Sequence, residues 1–230
     1  PTISGALVKA ALIASADWVG NGNTPGTNNT YLYRANNEQG YGRIQLDNLL
    51  PLQTWARSPI GMIVADESGF GPNNTTLDAI ATNGSTDTTA FTVSDVTSEL
   101  RIALAWTEGS GELAANNLDL ELEAPDGTTY YGNYFTEDWN RNGSLDAGED
   151  CAGFDGLTGT LDEFPWSLPV CGNSNRDIDN VSEAIMLSPD PDDNGDAEDC
   201  LSQIQAGEWT LRVIGTSVAG SQPYAVVISG

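Results

Sequence analysis

Alternating apolar and polar residues mark the most strongly patterned stretch of the chain, which runs from Leu100 to Asn133. Apolar side chains occupy every second position in two runs (Leu100, Ile102, Leu104 and Trp106, then Leu118, Leu120, Leu122 and Ala124). Successive side chains of a strand point to opposite faces, so each run predicts a half-buried strand. The second run ends at the turn sequence Pro125-Asp126-Gly127. The two runs together predict an antiparallel pair.

Shorter runs predict further strands at residues 90–96, 128–131, 183–187, 209–215 and 224–229. A series of short strands with no helical pattern between them is typical of an antiparallel β-sandwich or jelly roll. The turn-rich sequence GFGPNNTT predicts a domain boundary near Gly69. We therefore expect a mainly β protein in which residues 69–230 form a β-sandwich, with acidic insertions at 136–178 and 188–203.

The segment from Ser4 to Ala16 is predicted to be helical, with Ser4 as its N-cap. Its body is apolar on almost every side, and such a helix must be buried on almost every side. The residues that follow, up to the predicted boundary, supply no run of strands to cover it. We expect residues 1–68 to be the end of a domain whose remainder lies upstream. The alternative is a small helical cap packed on the later sheet.

The charge balance excludes several classes of function. There are 33 acidic residues and 8 basic residues, which gives a net charge of -25. Such a charge repels nucleic acids and anionic membrane surfaces. No apolar run approaches the roughly 20 residues that a membrane span needs. Scattered carboxylates with almost no lysine suit a halophilic protein, whereas clustered carboxylates favour cation binding.

The sharpest local motif is the sequence DWNRNGSLDAGE at residues 138–149. It matches the calcium-loop pattern D-x-[DN]-x-[DN]-G-x5-E at every specified position. Ca²⁺ takes about six to eight oxygens, and this spacing wraps a chain around one ion. The predicted ligands are Asp138, Asn140, Asn142, the Ser144 carbonyl, Asp146 and Glu149. The small number of charged ligands favours weak affinity, in the range of about 10⁻⁴ to 10⁻³ M.

A second acidic loop, DPDDNGDAED, covers residues 190–199. It repeats the start of the calcium pattern, with candidate ligands Asp190, Asp192, Asn194 and Asp196. The closing position holds Leu201 instead of glutamate. This loop is therefore either a more open ion site or a hydrated surface loop.

The three cysteines all lie in the acidic insertions. A disulfide there would suit an extracellular protein. Cys151 and Cys171 bracket one insertion and are the candidate pair, which leaves Cys200 over. Sequence alone does not fix the connectivity.

Several motifs resemble those of one family. The sequences SGALVKAALIASA (4–16) and QGYGRIQLDNLL (39–50) resemble the end of the catalytic domain of subtilisin-like serine proteases, with Tyr41 in place of the usual tryptophan. Later motifs are similar to the C-terminal β-domain that one branch of these proteases carries: LAWTE (104–108), NNLDL (116–120), APDG (124–127), DNVSE (179–183) and AGEWTL (206–211). They occur in the order expected of that family.

The resemblance implies acyl transfer by a serine that lies upstream of this sequence. The chain contains no histidine, so a Ser-His-Asp triad cannot be assembled within it. Alone it is expected to be inactive toward peptides. The resemblance also implies calcium bound around Glu108, Asn117 and Asp119, with Asn117 standing where the family has aspartate. The alternative for Asp119 and Glu121 is a solvated strand face.

These observations predict the C-terminal part of a secreted subtilisin-like serine endopeptidase, with Ca²⁺ as cofactor and the upstream catalytic segment as partner. The alternative is a non-catalytic, calcium-dependent binding or adhesive β-sandwich. A third possibility is a halophile structural protein. Five aromatic residues could stack on sugar rings or could belong to the core: Tyr130, Tyr131, Tyr134, Trp139 and Trp166.

Overall fold

The structure is a computed structural model that describes residues 3–18, 39–50, 61–66, 79–80, 82–108, 116–135, 166–170, 176–189 and 203–230. These residues form a mainly β fold with one α-helix, as predicted. The elements in chain order are α1 (Gly5–Ala14), β1 (Ala16–Asp17), β2 (Arg43–Ile44), a 3₁₀ turn (Leu46–Asn48), β3 (Met62–Asp66), β4 (Thr86–Val93), β5 (Leu100–Trp106), β6 (Asn117–Glu123), β7 (Thr129–Tyr131), β8 (Ser182–Leu187), β9 (Gly207–Ser217) and β10 (Tyr224–Ser229).

Two four-stranded antiparallel sheets form the body of the fold. The strand order is β3-β10-β5-β8 in the first, called sheet I, and β4-β9-β6-β7 in the second, called sheet II. The predicted pairing of β5 with β6 is wrong: β5 pairs with β10 and β8, whereas β6 pairs with β9 and β7. Alternation specifies which face of a strand is buried, but it does not specify the neighbouring strand.

The main core lies between the sheets and takes side chains from both. Sheet I contributes the inward residues of β5, β8 and β10, and sheet II contributes those of β6 and β9. Trp209 is fully buried there, and its indole N–H donates to the Gln205 carbonyl at 2.9 Å. The core thus accepts a large polar-tipped aromatic because its one donor is satisfied.

Helix α1 begins where the sequence predicts. The Ser4 hydroxyl caps it by accepting from Leu7 N–H at 2.9 Å, and Ser4 N–H donates to Asp66 at 3.2 Å. One face of α1 is buried against the outer side of sheet I, where mostly small residues meet (Ala6, Ala10 and Ala14 of the helix, Ala103 and Ala105 of β5, Ala225 and Val227 of β10). The opposite face of α1 is not covered in the described part of the chain.

The N-terminal segments and the sandwich share further contacts. Buried Arg101 of β5 donates to the Ala16 carbonyl at 2.7 Å and pairs with Asp17 at 3.1 Å. Strand β3, which the sequence analysis did not predict, pairs with β10 along its whole length. The predicted boundary near Gly69 therefore follows a strand that belongs to sheet I.

Candidate functional site

A buried carboxylate joins the two sheets at one edge of the sandwich. Strand β8 ends sheet I, and β6 and β7 end sheet II on the same side. Glu183 of β8 accepts a hydrogen bond from the backbone N–H of Leu120 in β6 at 2.5 Å. The Leu120 carbonyl accepts from Gly132 N–H at 2.9 Å. Glu183 therefore supplies the acceptor that a continuing strand would otherwise supply.

The approach of Glu183 depends on Gly132. A Cβ placed on Gly132 would lie 2.7 Å from the Glu183 Cβ and 2.8 Å from its Cδ, and closer still to Oε2. These separations are shorter than carbon contacts of about 3.5–4.0 Å allow. The absence of a side chain at this position lets the carboxylate reach β6.

Two carboxylates at this edge are almost completely buried. Glu183 and Asp119 are each 1% exposed. Burial raises the pKa of Glu183 well above its usual range; the Leu120 N–H bond and Arg176 oppose this rise, while Asp119 and Asp177 add to it. Burial likewise raises the pKa of Asp119, against Thr216, Arg176 and Asn117. Among the described residues, Glu183 Oε1 has no hydrogen-bond partner.

Arg176 faces these carboxylates. Its Nε lies 3.8 Å from Asp119 Oδ2, and its Nη2 donates to Glu121. The guanidinium stacks over the ring of Tyr131, 4.1 Å from the ring centroid. Asp119 also accepts from Asn117 Nδ2 at 3.1 Å and from the Thr216 hydroxyl.

Asn133 connects this edge to the N-terminal segments. It adopts a left-handed backbone conformation with φ of 59°, which asparagine tolerates better than most residues. Its amide donates to Asp177 at 2.5 Å, and its Oδ1 accepts from Ala184 N–H at 3.0 Å. The Tyr41 hydroxyl lies 2.9 Å from Asn133 Oδ1 and 3.0 Å from the Ser182 carbonyl. We call the whole set the edge cluster: Asn117, Asp119, Glu121, Asn133, Arg176, Asp177 and Glu183.

The three residues that the resemblance assigns to calcium fall into two networks. Asn117 and Asp119 contact each other in the edge cluster. Glu108 accepts instead from the Trp106 indole at 3.0 Å and from Asn116 N–H at 3.1 Å. Within the described ranges, no group of three or more Asp, Glu, Cys or His side chains could hold a metal ion. Calcium at Glu108, Asn117 and Asp119 stays a prediction.

The other predicted sites lie outside the residues that the structure describes. They are the calcium loop at 138–149 (Asp138, Asn140, Asn142, Ser144, Asp146, Glu149), the second acidic loop (Asp190, Asp192, Asn194, Asp196) and the cysteines Cys151 and Cys171. All of these stay predictions.

Burial decides two of the alternatives left open by the sequence. Asp119 is buried, so the interpretation of its strand face as solvated is wrong at that position. Three of the aromatics considered for sugar stacking are buried, with exposed fractions of 4 to 8% (Tyr130, Tyr134, Trp166). Tyr131 lies beneath Arg176, and Trp139 lies outside the described residues. The buried aromatics therefore belong to the core and offer no stacking platform.

Four members of the edge cluster are not predicted as site residues from the sequence: Asn133, Arg176, Asp177 and Glu183. One signal was present for Glu183, which is the single charged residue in the strand SEAIML and precedes four apolar residues. A charge in a fully buried strand requires compensation nearby. The identity of the compensating residues depends on the fold, because they lie on other elements.

A second feature is an apolar groove on the outer side of α1. Its lining includes Val8, Lys9, Leu12, Ile13 and Ile44. Val8 is 49% exposed, Leu12 36% and Ile44 54%. We call this surface the helix groove. Lys9 donates to the Val181 carbonyl at 3.3 Å, and burial of its stem lowers its pKa.

Comparisons with known proteins add no identification: no protein-family model matches the sequence, and no curated protein does. The described part of the chain also holds no helix long and apolar enough to cross a membrane.

Proposed function

We propose that this chain is the C-terminal part of a secreted subtilisin-like serine endopeptidase. Residues 1–68 complete the catalytic fold, and the sandwich is an appended, calcium-stabilised β-domain. The motifs quoted above support this proposal by their order along the chain. The structural observation that supports it best is the helix groove, which is an apolar surface on the very segment that resembles the end of the catalytic domain.

The groove suits a protein core more than it suits solvent. Val8, Leu12 and Ile44 line it and are all more than a third exposed. Covering the exposed parts of these three side chains would contribute about 3 kcal/mol before the cost of association. We take the occupant to be the apolar core of the upstream catalytic segment, which would carry the serine, histidine and aspartate.

Calcium would act in this scheme by stabilising the appended domain. An ion bound only by the folded state adds about 2.7 kcal/mol when its free concentration is a hundred times the dissociation constant. The predicted ligands lie in the loop at 138–149, inside the longer acidic insertion. Such a gain would protect the domain from cleavage by the protease to which it belongs.

One observation favours the alternative, a non-catalytic calcium-dependent binding module. Helix α1 packs closely on sheet I, and Arg101 of β5 donates to the carbonyl of Ala16, two residues beyond the end of the helix. A helix held in this way could serve as a cap on a self-sufficient sandwich. The two functions differ in whether the helix groove is covered by a catalytic segment.

The test is to isolate the protein from its native source together with whatever polypeptide covers the groove. The protease proposal expects an upstream polypeptide with serine, histidine and aspartate, and gelatin hydrolysis that a serine-directed inhibitor blocks. Leu12→Asp should then reduce assembly and hydrolysis. Val96→Asp is the matched control, because Val96 is similarly exposed at 37% and does not line the groove. A monodisperse chain without hydrolytic activity, unaffected by Leu12→Asp, would favour the binding module instead.

A further inference from the structure

We propose that Arg176 takes the place of a calcium ion in the edge cluster, so that this edge of the sandwich is closed by a cation belonging to the chain itself. Calcium would then act on the β-domain elsewhere. The inference rests on the proposed calcium-binding β-domain, and it holds for a protease part and for a binding module alike.

The position of Arg176 is fixed by three different contacts. Its Nε faces Asp119, its Nη2 donates to Glu121, and its plane lies over Tyr131. A guanidinium group combines charge, a planar fork of hydrogen-bond donors and stacking on aromatic rings, whereas an ammonium group has a compact charge and three donors without the planar fork. The side chain is 26% exposed, so it reaches the buried carboxylates from the surface of the cluster.

The two carboxylates that Arg176 contacts, Asp119 and Glu121, already accept a hydrogen bond at each of their oxygens. Asp119 accepts from Asn117 through one oxygen and from Thr216 through the other. Glu121 accepts from Arg176 through one oxygen and from Arg212 through the other, the latter at 3.0 Å. A calcium ion needs about six to eight oxygens at 2.3–2.6 Å. It would have to break these bonds and displace the guanidinium, because two cations repel each other at such a distance.

Glu108 makes different hydrogen bonds from Asn117 and Asp119. Its Oε1 accepts from Trp106 and Asn116, and its Oε2 has no partner among the described residues. The set implied by the resemblance is therefore divided between two networks, and the half that contains Asp119 already contacts a cation. This arrangement fits an internal ion pair better than a metal site.

Arg176 also acts electrostatically on Glu183, a carboxylate with which it makes no ion pair. Asp119, Asp177 and Glu183 repel one another, and Arg176 opposes that repulsion at both Asp119 and Glu183. Arg212, the other arginine on this face, contacts Glu121 and Glu123. Removing Arg176 would leave the buried carboxylate of Asp119 without the cation that contacts it in the described structure, a change that is strongly destabilising in buried ion pairs.

The experiment uses the full chain, with the predicted calcium loop disabled so that calcium binding there does not affect the melting temperature. Every variant carries Glu149→Gln, which takes away the bidentate ligand of the loop. Arg176→Gln is compared with Arg212→Gln, a control that removes an arginine from the same sheet face but not from Asp119. Melting temperatures are measured in EDTA and in about 10 mM CaCl₂, tenfold above the weakest affinity typical of extracellular modules.

We expect Arg176→Gln to lower the melting temperature in EDTA by about 5 °C or more, and calcium to restore at least half of the loss. Arg212→Gln should lower the melting temperature by less than Arg176→Gln does, and calcium should not change the melting temperature of that variant. A calcium response in the Glu149→Gln parent that Asp119→Asn removes would overturn the inference. So would an Arg176→Gln variant that is no less stable than the Arg212→Gln control.

A variant that keeps the positive charge makes the test decisive even if Arg176→Gln does not fold. Arg176→Lys retains a cation and should fold with a melting temperature that calcium does not change. If Arg176→Lys responds to calcium, the inference is wrong. The proposed function is tested separately, by the calcium response of the chain with Glu149 intact. If calcium does not raise the melting temperature of that chain, the β-domain is not stabilised by calcium, and the Arg176 variants still decide the role of Arg176.

Discussion

Replacing Gly132 by alanine tests how the two sheets are joined at the edge cluster. The new Cβ would lie 2.7 Å from Glu183 Cβ and 2.8 Å from its Cδ. The backbone of Gly132 does not have the positive φ that would by itself disfavour alanine. The loss of stability therefore comes from a steric clash with Glu183, whose carboxylate accepts from Leu120 N–H.

The expected loss follows from two contributions. Crowding of this kind costs about 1–3 kcal/mol. Displacing the Glu183 carboxylate leaves the Leu120 N–H buried without an acceptor, which costs about 1–3 kcal/mol more. Partial relaxation reduces the total, so we expect a loss of about 3 kcal/mol. In a chain of 230 residues, this corresponds to a melting temperature lower by about 10 °C.

Urea unfolding followed by tryptophan fluorescence measures the change. Gly220→Ala is the control, because a Cβ at Gly220 meets no atom within 4 Å, and its stability should stay within about 0.5 kcal/mol of the parent. Glu183→Ala removes two of the three crowded contacts, so Gly132→Ala should cost less in that background. A loss below about 1 kcal/mol, or an equal loss in both backgrounds, would refute the role assigned to Glu183.

Three further predictions concern the same regions. The pKa of Glu183 is raised by burial, so the folded state holds its proton more tightly than the unfolded chain. The free energy of unfolding in EDTA should therefore fall as the pH rises from the usual glutamate range through the pKa of Glu183 in the folded state. Glu183→Gln should reduce this pH dependence and should be more stable than the parent at pH 8, which the midpoints of urea unfolding would show. Tyr41→Phe removes the hydroxyl that contacts Asn133 and Ser182, and should cost about 1–2 kcal/mol in the same assay. Chelation should lower the melting temperature of the parent but not that of Glu149→Gln; an equal fall in both would place the calcium response outside the 138–149 loop.

Local chemistry accounts for the elements that the sequence predicted well. The hydroxyl of Ser4 caps α1 by accepting from Leu7 N–H, three residues along the chain, so nearby residues determine where the helix begins. Alternation locates β5 and β6 because a period of two follows from strand geometry itself. Strand β3 was missed because its apolar residues stand in a short run without alternation.

Long-range contacts account for what the sequence did not predict. The strands that pair with β5 are residues 182–187 and 224–229, and no local sequence pattern identifies them as its partners. Asp119 sits at an outward position of its strand, and its burial comes from Thr216 and Arg176, which lie 97 and 57 positions away in the sequence. The edge cluster is thus a product of topology, although the lone charge of Glu183 in a mostly apolar strand signals that some compensation exists.

The position of β10 has a consequence for how the protein is made. This strand follows all the other described strands in the sequence, yet it lies in the interior of sheet I, between β3 and β5. Helix α1 also packs on it. A ribosome delivers residues 224–229 after both strands that they pair with, so sheet I cannot close until these residues have been synthesised. Until then β3 and β5 offer unpaired edges, which are sites of aggregation. A nascent chain therefore needs to shield the edges of β3 and β5 until residues 224–229 insert between them.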